Sequence, residues 1–233
     1  MNLFILFIIH RIVNIFITMK KLFIAAAAIT AAIIPFSACG ASVDYTAYIS
    51  EKRSEIYLYK DDNLSLSVYC VSREQPYNAD GICGDMCDLV EISVKLSPTP
   101  ENVEITLGDI GGEVNYEAVD GKFTFSYTAE SFNAEGVDVA LTVNGEQKTY
   151  RALNVADSGV MSCEQILGCA AEYDRELFAS LTRKRDFEGE IYIRLLYDEG
   201  CYYYVGVCDR DKNITAYLLD GGSGKVIATK KTG

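Results

Sequence analysis

Val137-Asp138-Val139-Ala140-Leu141-Thr142-Val143-Asn144-Gly145 carries the pattern that sets the fold class. Valine and leucine recur at every second position, the period of a strand with one buried face. The run ends in Asn-Gly, the pair that suits a two-residue hairpin turn, because both turn positions need positive φ. It predicts a strand folding straight back onto its neighbour around Lys148 to Val155.

The same alternation recurs outward from this hairpin. Upstream, Ile56 to Tyr59 and Leu64 to Val68 flank Asp61-Asp62-Asn63. A loop rich in Gly and Asp then leads to Leu89 to Leu96, the turn Ser97 to Pro100, and Val103 to Leu107. Val114 to Val119 and Phe123 to Tyr127 are joined by Asp120-Gly121. About eight short strands at this spacing predict an antiparallel β-sandwich or barrel over residues 54–156.

At Ser162 the period changes. Ser162 and Gln165 form a capping-box pattern, and Cys163, Ile166, Leu167, Ala170, Tyr173, Leu177, Phe178 and Leu181 recur at helical steps. One amphipathic helix ending near Lys184 is expected. Four strands follow: Ile191 to Tyr197, Tyr202 to Cys208, Ile214 to Leu219 and Val226 to Thr229. Residues 157–233 therefore read as one helix packed on a four-stranded antiparallel meander, and the whole chain as α+β, mainly β.

The beginning of the sequence has a different character. After Met19 come Lys20-Lys21, an apolar run from Leu22 to Ile34, and Phe36-Ser37-Ala38-Cys39. This order resembles a bacterial lipoprotein signal peptide, in which the cysteine closing a small-residue box is lipidated and becomes the new N-terminus. Phe36 stands where that family usually has an aliphatic residue. The resemblance implies lipid on Cys39 and a body held at the extracytoplasmic face of a bacterial envelope, since two or more acyl chains anchor stably. Ordinary secretory cleavage after Ala41, giving a secreted soluble protein, is the competing reading. Residues 1–38 then comprise an upstream extension and the signal, with Met19 the working start, and residues 39–53 a tether reaching about 50 Å when fully extended.

Loss of residues 1–38 removes Arg11, Lys20 and Lys21, moving the formal charge from −12 to −15. Such a surface repels phosphate backbones, so nucleic acid is not an expected partner, and membrane attachment falls to the lipid. The single histidine, His10, leaves with the same segment. Histidine-based triads and histidine-containing zinc sites go with it, which points away from an enzyme, although carboxylate or thiol chemistry remains open. A protein, peptide or glycan is the expected partner class, and no cofactor is expected.

Seven cysteines remain after Cys39: Cys70, Cys83, Cys87, Cys163, Cys169, Cys201 and Cys208. If most pair in an oxidising compartment, one is left over. Cys70, Cys83 and Cys87 lie close enough in sequence to staple the intervening loop. Cys163 and Cys169 are too far apart on a helix to pair, and Cys201 and Cys208 point to opposite faces of a strand. Cys83-Gly84-Asp85-Met86-Cys87 lacks the redox C-x-x-C spacing. Asp209-Arg210-Asp211-Lys212-Asn213 imitates the oxygen spacing of a calcium loop, but Ile214 replaces the required glycine, so a polar hairpin tip is expected. Tyr202, Tyr204 and Tyr217 form a candidate aromatic contact face. Residues 204–226, ending in Asp220-Gly221-Gly222-Ser223-Gly224-Lys225-Val226, resemble the close of PepSY-like extracytoplasmic modules, which implies an envelope regulator or protease inhibitor as the alternative function.

Overall fold

The computed structural model describes residues 43–156 and 159–232. The signal segment and Cys39 lie outside the described residues. The described chain is mainly β, a large antiparallel sheet curled into a half-barrel with a helical segment.

The first strand, β1 (Ile49–Lys60), organises the sheet. One edge pairs along its length with β2 (Leu64–Glu74), which pairs with β3 (Met86–Leu96). The other edge is divided. Residues from Tyr57 to Leu58 pair antiparallel with β9 (Glu146–Asn154), whereas Ile49 to Arg53 pair parallel with β12 (Gly189–Tyr197). A bulge between Arg53 and Glu55 separates the two halves, and such an insertion bends the strand and increases its twist. Residues 49–53 are therefore strand, not tether. The reading from sequence failed there because Ser50 and Glu51 look like linker residues, yet both are buried.

Beyond β3 come β7 (Lys122–Thr128) and the short β6 (Asn115–Glu117). The other wing carries β8 (Gly136–Val143), β4 (Val103–Leu107) and β5 (Ile110–Glu113) outward from β9. The strand expected at Val114 to Val119 is thus shortened to β6, and β5, just before it, belongs to the other wing. The two wings enclose a core that includes Leu66, Val68, Val90, Ile92, Ile105, Val139 and Leu141. Asn144 and Gly145 take the positive φ values, 50° and 86°, that their hairpin requires.

The C-terminal meander continues from β12 through β13 (Cys201–Asp209), β14 (Ile214–Asp220) and β15 (Val226–Thr232). Its helix starts at the predicted capping box, with Ser162 Oγ accepting from Gln165 N and Gln165 Oε1 accepting from Ser162 N. The helical segment is divided at Asp174 into α1 (Cys163–Tyr173) and α2 (Arg175–Ser180). Asp174 caps α2 through Leu177 N and also accepts a hydrogen bond from the Tyr217 hydroxyl. Residues expected at the helix end instead enter the small hairpin β10 (Thr182–Arg183) and β11 (Asp186–Phe187). Ile166, Leu167, Ala170 and Phe178 pack on Ile191, Ile193, Leu195, Val205 and Leu219. Neighbouring residues of β1 serve the two cores, with Ile56 in the helix-covered one and Tyr57 in the half-barrel.

Candidate recognition loop and its buried polar base

Alternation along β12 sends Ile191, Ile193 and Leu195 to the helix and Glu190, Tyr192 and Arg194 to the opposite face. Residues 75–85, the long connection between β2 and β3, cover that opposite face. Gln75 N donates to Asp85 O, so the loop closes on itself at its base.

The loop is pinned at several points. Glu74, 1% exposed, accepts from Asn78 N through Oε1 and from Gly84 N through Oε2. The Tyr77 hydroxyl donates to Glu51 Oε2 at 2.9 Å and accepts from Arg194 Nη2 at 3.1 Å. Arg194 in turn makes a bidentate pair with Glu51, Nε to Oε1 at 2.7 Å and Nη2 to Oε2 at 2.6 Å. The Cys83 thiol donates to Ile49 O, and Gly81, at φ +80°, sits where a Cβ would come within 2.6 Å of the Asp209 backbone. β1, β12 and β13 all hold the loop down.

The electrostatics follow from this packing. Burial alone would raise the Glu51 carboxyl, but the hydrogen bonds and charge of Arg194, with Tyr77 and Arg53, hold it below its ordinary value. Burial, with the Glu51 carboxylate beside it, pushes the Tyr77 hydroxyl up to about 12. Glu190 has no exposed surface; it accepts from the Tyr192 hydroxyl, while its Oε2 is buried without a hydrogen-bond partner. Burial raises its carboxyl despite the Tyr192 and Gly81 donors, and the Glu74 and Asp80 charges add to the rise.

Above this base the loop turns apolar side chains outward: Ile82 is 62% exposed, Tyr77 43%, and Met86 at the start of β3 42%. A rigid scaffold carrying a loop with exposed apolar residues is a common arrangement for recognition.

The residues singled out from sequence are distributed differently. Tyr202 and Tyr204 share the loop side of β13, but Tyr217 is buried on the helix side, because its register partner Val205 faces the helix. The expected three-tyrosine face does not assemble. Tyr204 is already engaged, its ring 5.4 Å from the Arg194 guanidinium, and both it and Tyr192 lie over Gly206, which has no side chain to obstruct them. Cys70 faces the half-barrel core, Cys83 lies over β1 and Cys87 sits beside Thr128, so these three are not brought together as a staple. Six cysteines (Cys70, Cys83, Cys87, Cys163, Cys169 and Cys208) carry free thiols, while Cys201 donates to Val155 O on the helix side, away from Cys208. Burial pushes the Cys70 and Cys163 thiols up to about 12, which is poor preparation for a thiolate nucleophile. Asp209 Oδ1 accepts from Asp211 N and Asn213 N, which makes this stretch a self-bonded hairpin tip. Among the described residues, no group of three or more His, Cys, Asp or Glu side chains is placed to hold a metal ion.

Glu51, Tyr77, Glu190 and Arg194 were not legible as a set. The available signal was Glu190-x-Tyr192-x-Arg194, three polar residues at alternate positions of an otherwise aliphatic strand. No protein-family model, curated protein or solved structure matches this chain.

Proposed function

We propose that the chain is a lipid-anchored, extracytoplasmic binding protein of a bacterial envelope that acts through contact, without catalysis. The observation that carries the binding reading is the pinned loop, which spends a half-buried ion pair and a buried carboxylate on fixing a segment whose outward residues, Ile82 and Tyr77, stand beside the exposed Met86 of β3. Apolar side chains on a fixed loop suit a protein or peptide surface better than a glycan. Anchoring rests on Cys39 and the signal that precedes it.

The two parts are tested separately. Metabolic labelling with a radioactive fatty acid should mark the wild type and not Cys39→Ala; an unlabelled wild type overturns the anchor. Displayed-peptide selection on the membrane-bound protein should enrich binders that lose about tenfold or more affinity for Ile82→Asp, a loss of about 1.4 kcal/mol. Absence of enrichment, or equal binding by the variant, overturns the loop as the contact.

The helix laid on a four-stranded meander favours a second reading, a PepSY-like regulator or protease inhibitor. Titration of the whole protein against extracellular proteases tests it, and undiminished protease activity removes it.

A further inference from the structure

Under the recognition loop, the charges do not balance. Glu51, Glu74, Asp80 and Glu190 are all in or beside the loop's base, and the two cations there both serve Glu51, Arg194 through a bidentate pair and its register neighbour Arg53 through its charge. Arg73 pairs instead with Glu91. Around Glu190, its own strand offers the Tyr192 hydroxyl, β2 offers the Glu74 carboxylate, and the loop offers Gly81 N–H with Asp80 and Cys83. From β13 come Cys208, its register partner, and the following Asp209. Burial raises both thiols, so they stay protonated and bring no positive charge. An ionised Glu190 would therefore be a buried anion with an unbonded Oε2 among other anions, whereas a protonated one is neutral and gains an O–H donor.

We propose that Glu190 is a proton-operated latch for residues 75–85: with its proton the loop stays seated on β12 and β13, and loss of the proton releases it. The sign follows from linkage. When the loop lifts, water reaches Glu190 and its carboxyl returns towards its ordinary value, so the seated loop binds the proton more tightly. Raising the pH through the interval between the ordinary and the raised value favours the lifted loop, by up to about tenfold per pH unit for one proton. The latch stands whatever the loop binds; only its consequence, recognition that weakens as pH rises, rests on the proposed binding role.

Hydrogen exchange of the unliganded full chain, corrected for the intrinsic pH dependence of exchange, tests it. Opening of amides in residues 75–85 should increase with pH in the wild type, while amides of β8 stay flat, and Glu190→Gln should remove the dependence. A carboxyl NMR titration of the wild type covers the case in which that variant fails to fold: Glu190 should titrate above the ordinary carboxylate range, and loop amide shifts should follow the same midpoint. Loop opening that is independent of pH, a dependence that persists in Glu190→Gln, or loop shifts with a midpoint unrelated to Glu190 would each overturn the latch.

Discussion

Replacing Arg194 by methionine tests the base of the loop most directly. Met keeps the aliphatic bulk against Tyr192 and Tyr204 but leaves Glu51, whose side chain is 5% exposed, without its bonded counter-charge and with only the Arg53 charge nearby. Removing one partner of a fully buried ion pair costs about 3–5 kcal/mol. Arg194 itself is 33% exposed, so solvent screens part of the interaction and about 2–3 kcal/mol is the appropriate expectation. With a urea m-value of about 2 kcal/mol/M, the unfolding midpoint should fall by about 1–1.5 M. The double variant Glu51→Leu with Arg194→Met should recover much of that loss, because neither charge is then stranded. Since Glu51 is held below its ordinary value, the pair's contribution is present above the ordinary carboxylate range and is lost as pH falls through the lowered value. The deficit of Arg194→Met should therefore shrink on acidification. A midpoint unchanged by Arg194→Met, or strictly additive effects in the double variant, would show that the pair contributes nothing beyond its separate halves.

Other consequences are equally specific. Glu190→Gln should raise stability at neutral pH, because the raised wild-type carboxyl must there either be buried charged or keep a proton that the unfolded chain has lost, and the gain should vanish at acid pH where the wild type is protonated folded and unfolded alike; calorimetry at two pH values reads this, and a gain equal at both refutes it. Asp174→Ala removes both the α2 cap and the acceptor for Tyr217, at a cost of about 2–3 kcal/mol, most of it restored by Asp174→Asn. Gly224→Ala should destabilise measurably, because φ is +67° and the new Cβ would lie 2.5 Å from Cys169 Sγ; Cys169→Ala should relieve only the steric part. In native protein, Cys70 and Cys163 should react with a thiol reagent far more slowly than in urea, and equal rates would contradict their burial.

What could be read in advance was local. The Asn144-Gly145 turn, the Ser162 capping box and the alternation of most strands each depend on residues a few positions apart. What could not be read was pairing across the chain. Glu51 looks like a linker acid until Arg194, 143 positions away, is laid beside it. Tyr217 looks like a member of the Tyr202 and Tyr204 face until the β13–β14 register assigns it to the helix side. The break at Asp174 is invisible in the periodicity because Leu177 and Phe178 keep helical spacing across it. The polar base escaped for the same reason, as its members come from four strands and a loop.

The divided edge of β1 also governs the order in which the molecule can be completed. Ile49 to Arg53 can be seated as an interior strand only when Ile191 to Arg194 arrive from near the other end of the chain. Closing so wide a span costs more entropy than any hairpin in the sheet, and non-local parallel pairing is intrinsically slow. The meander hairpins can zip locally while the first strand waits with one edge bare. In a chain that emerges from its N-terminal end, the earliest segment of the fold is thus among the last to be sealed, and the sealed junction joins the beginning of the body to its end.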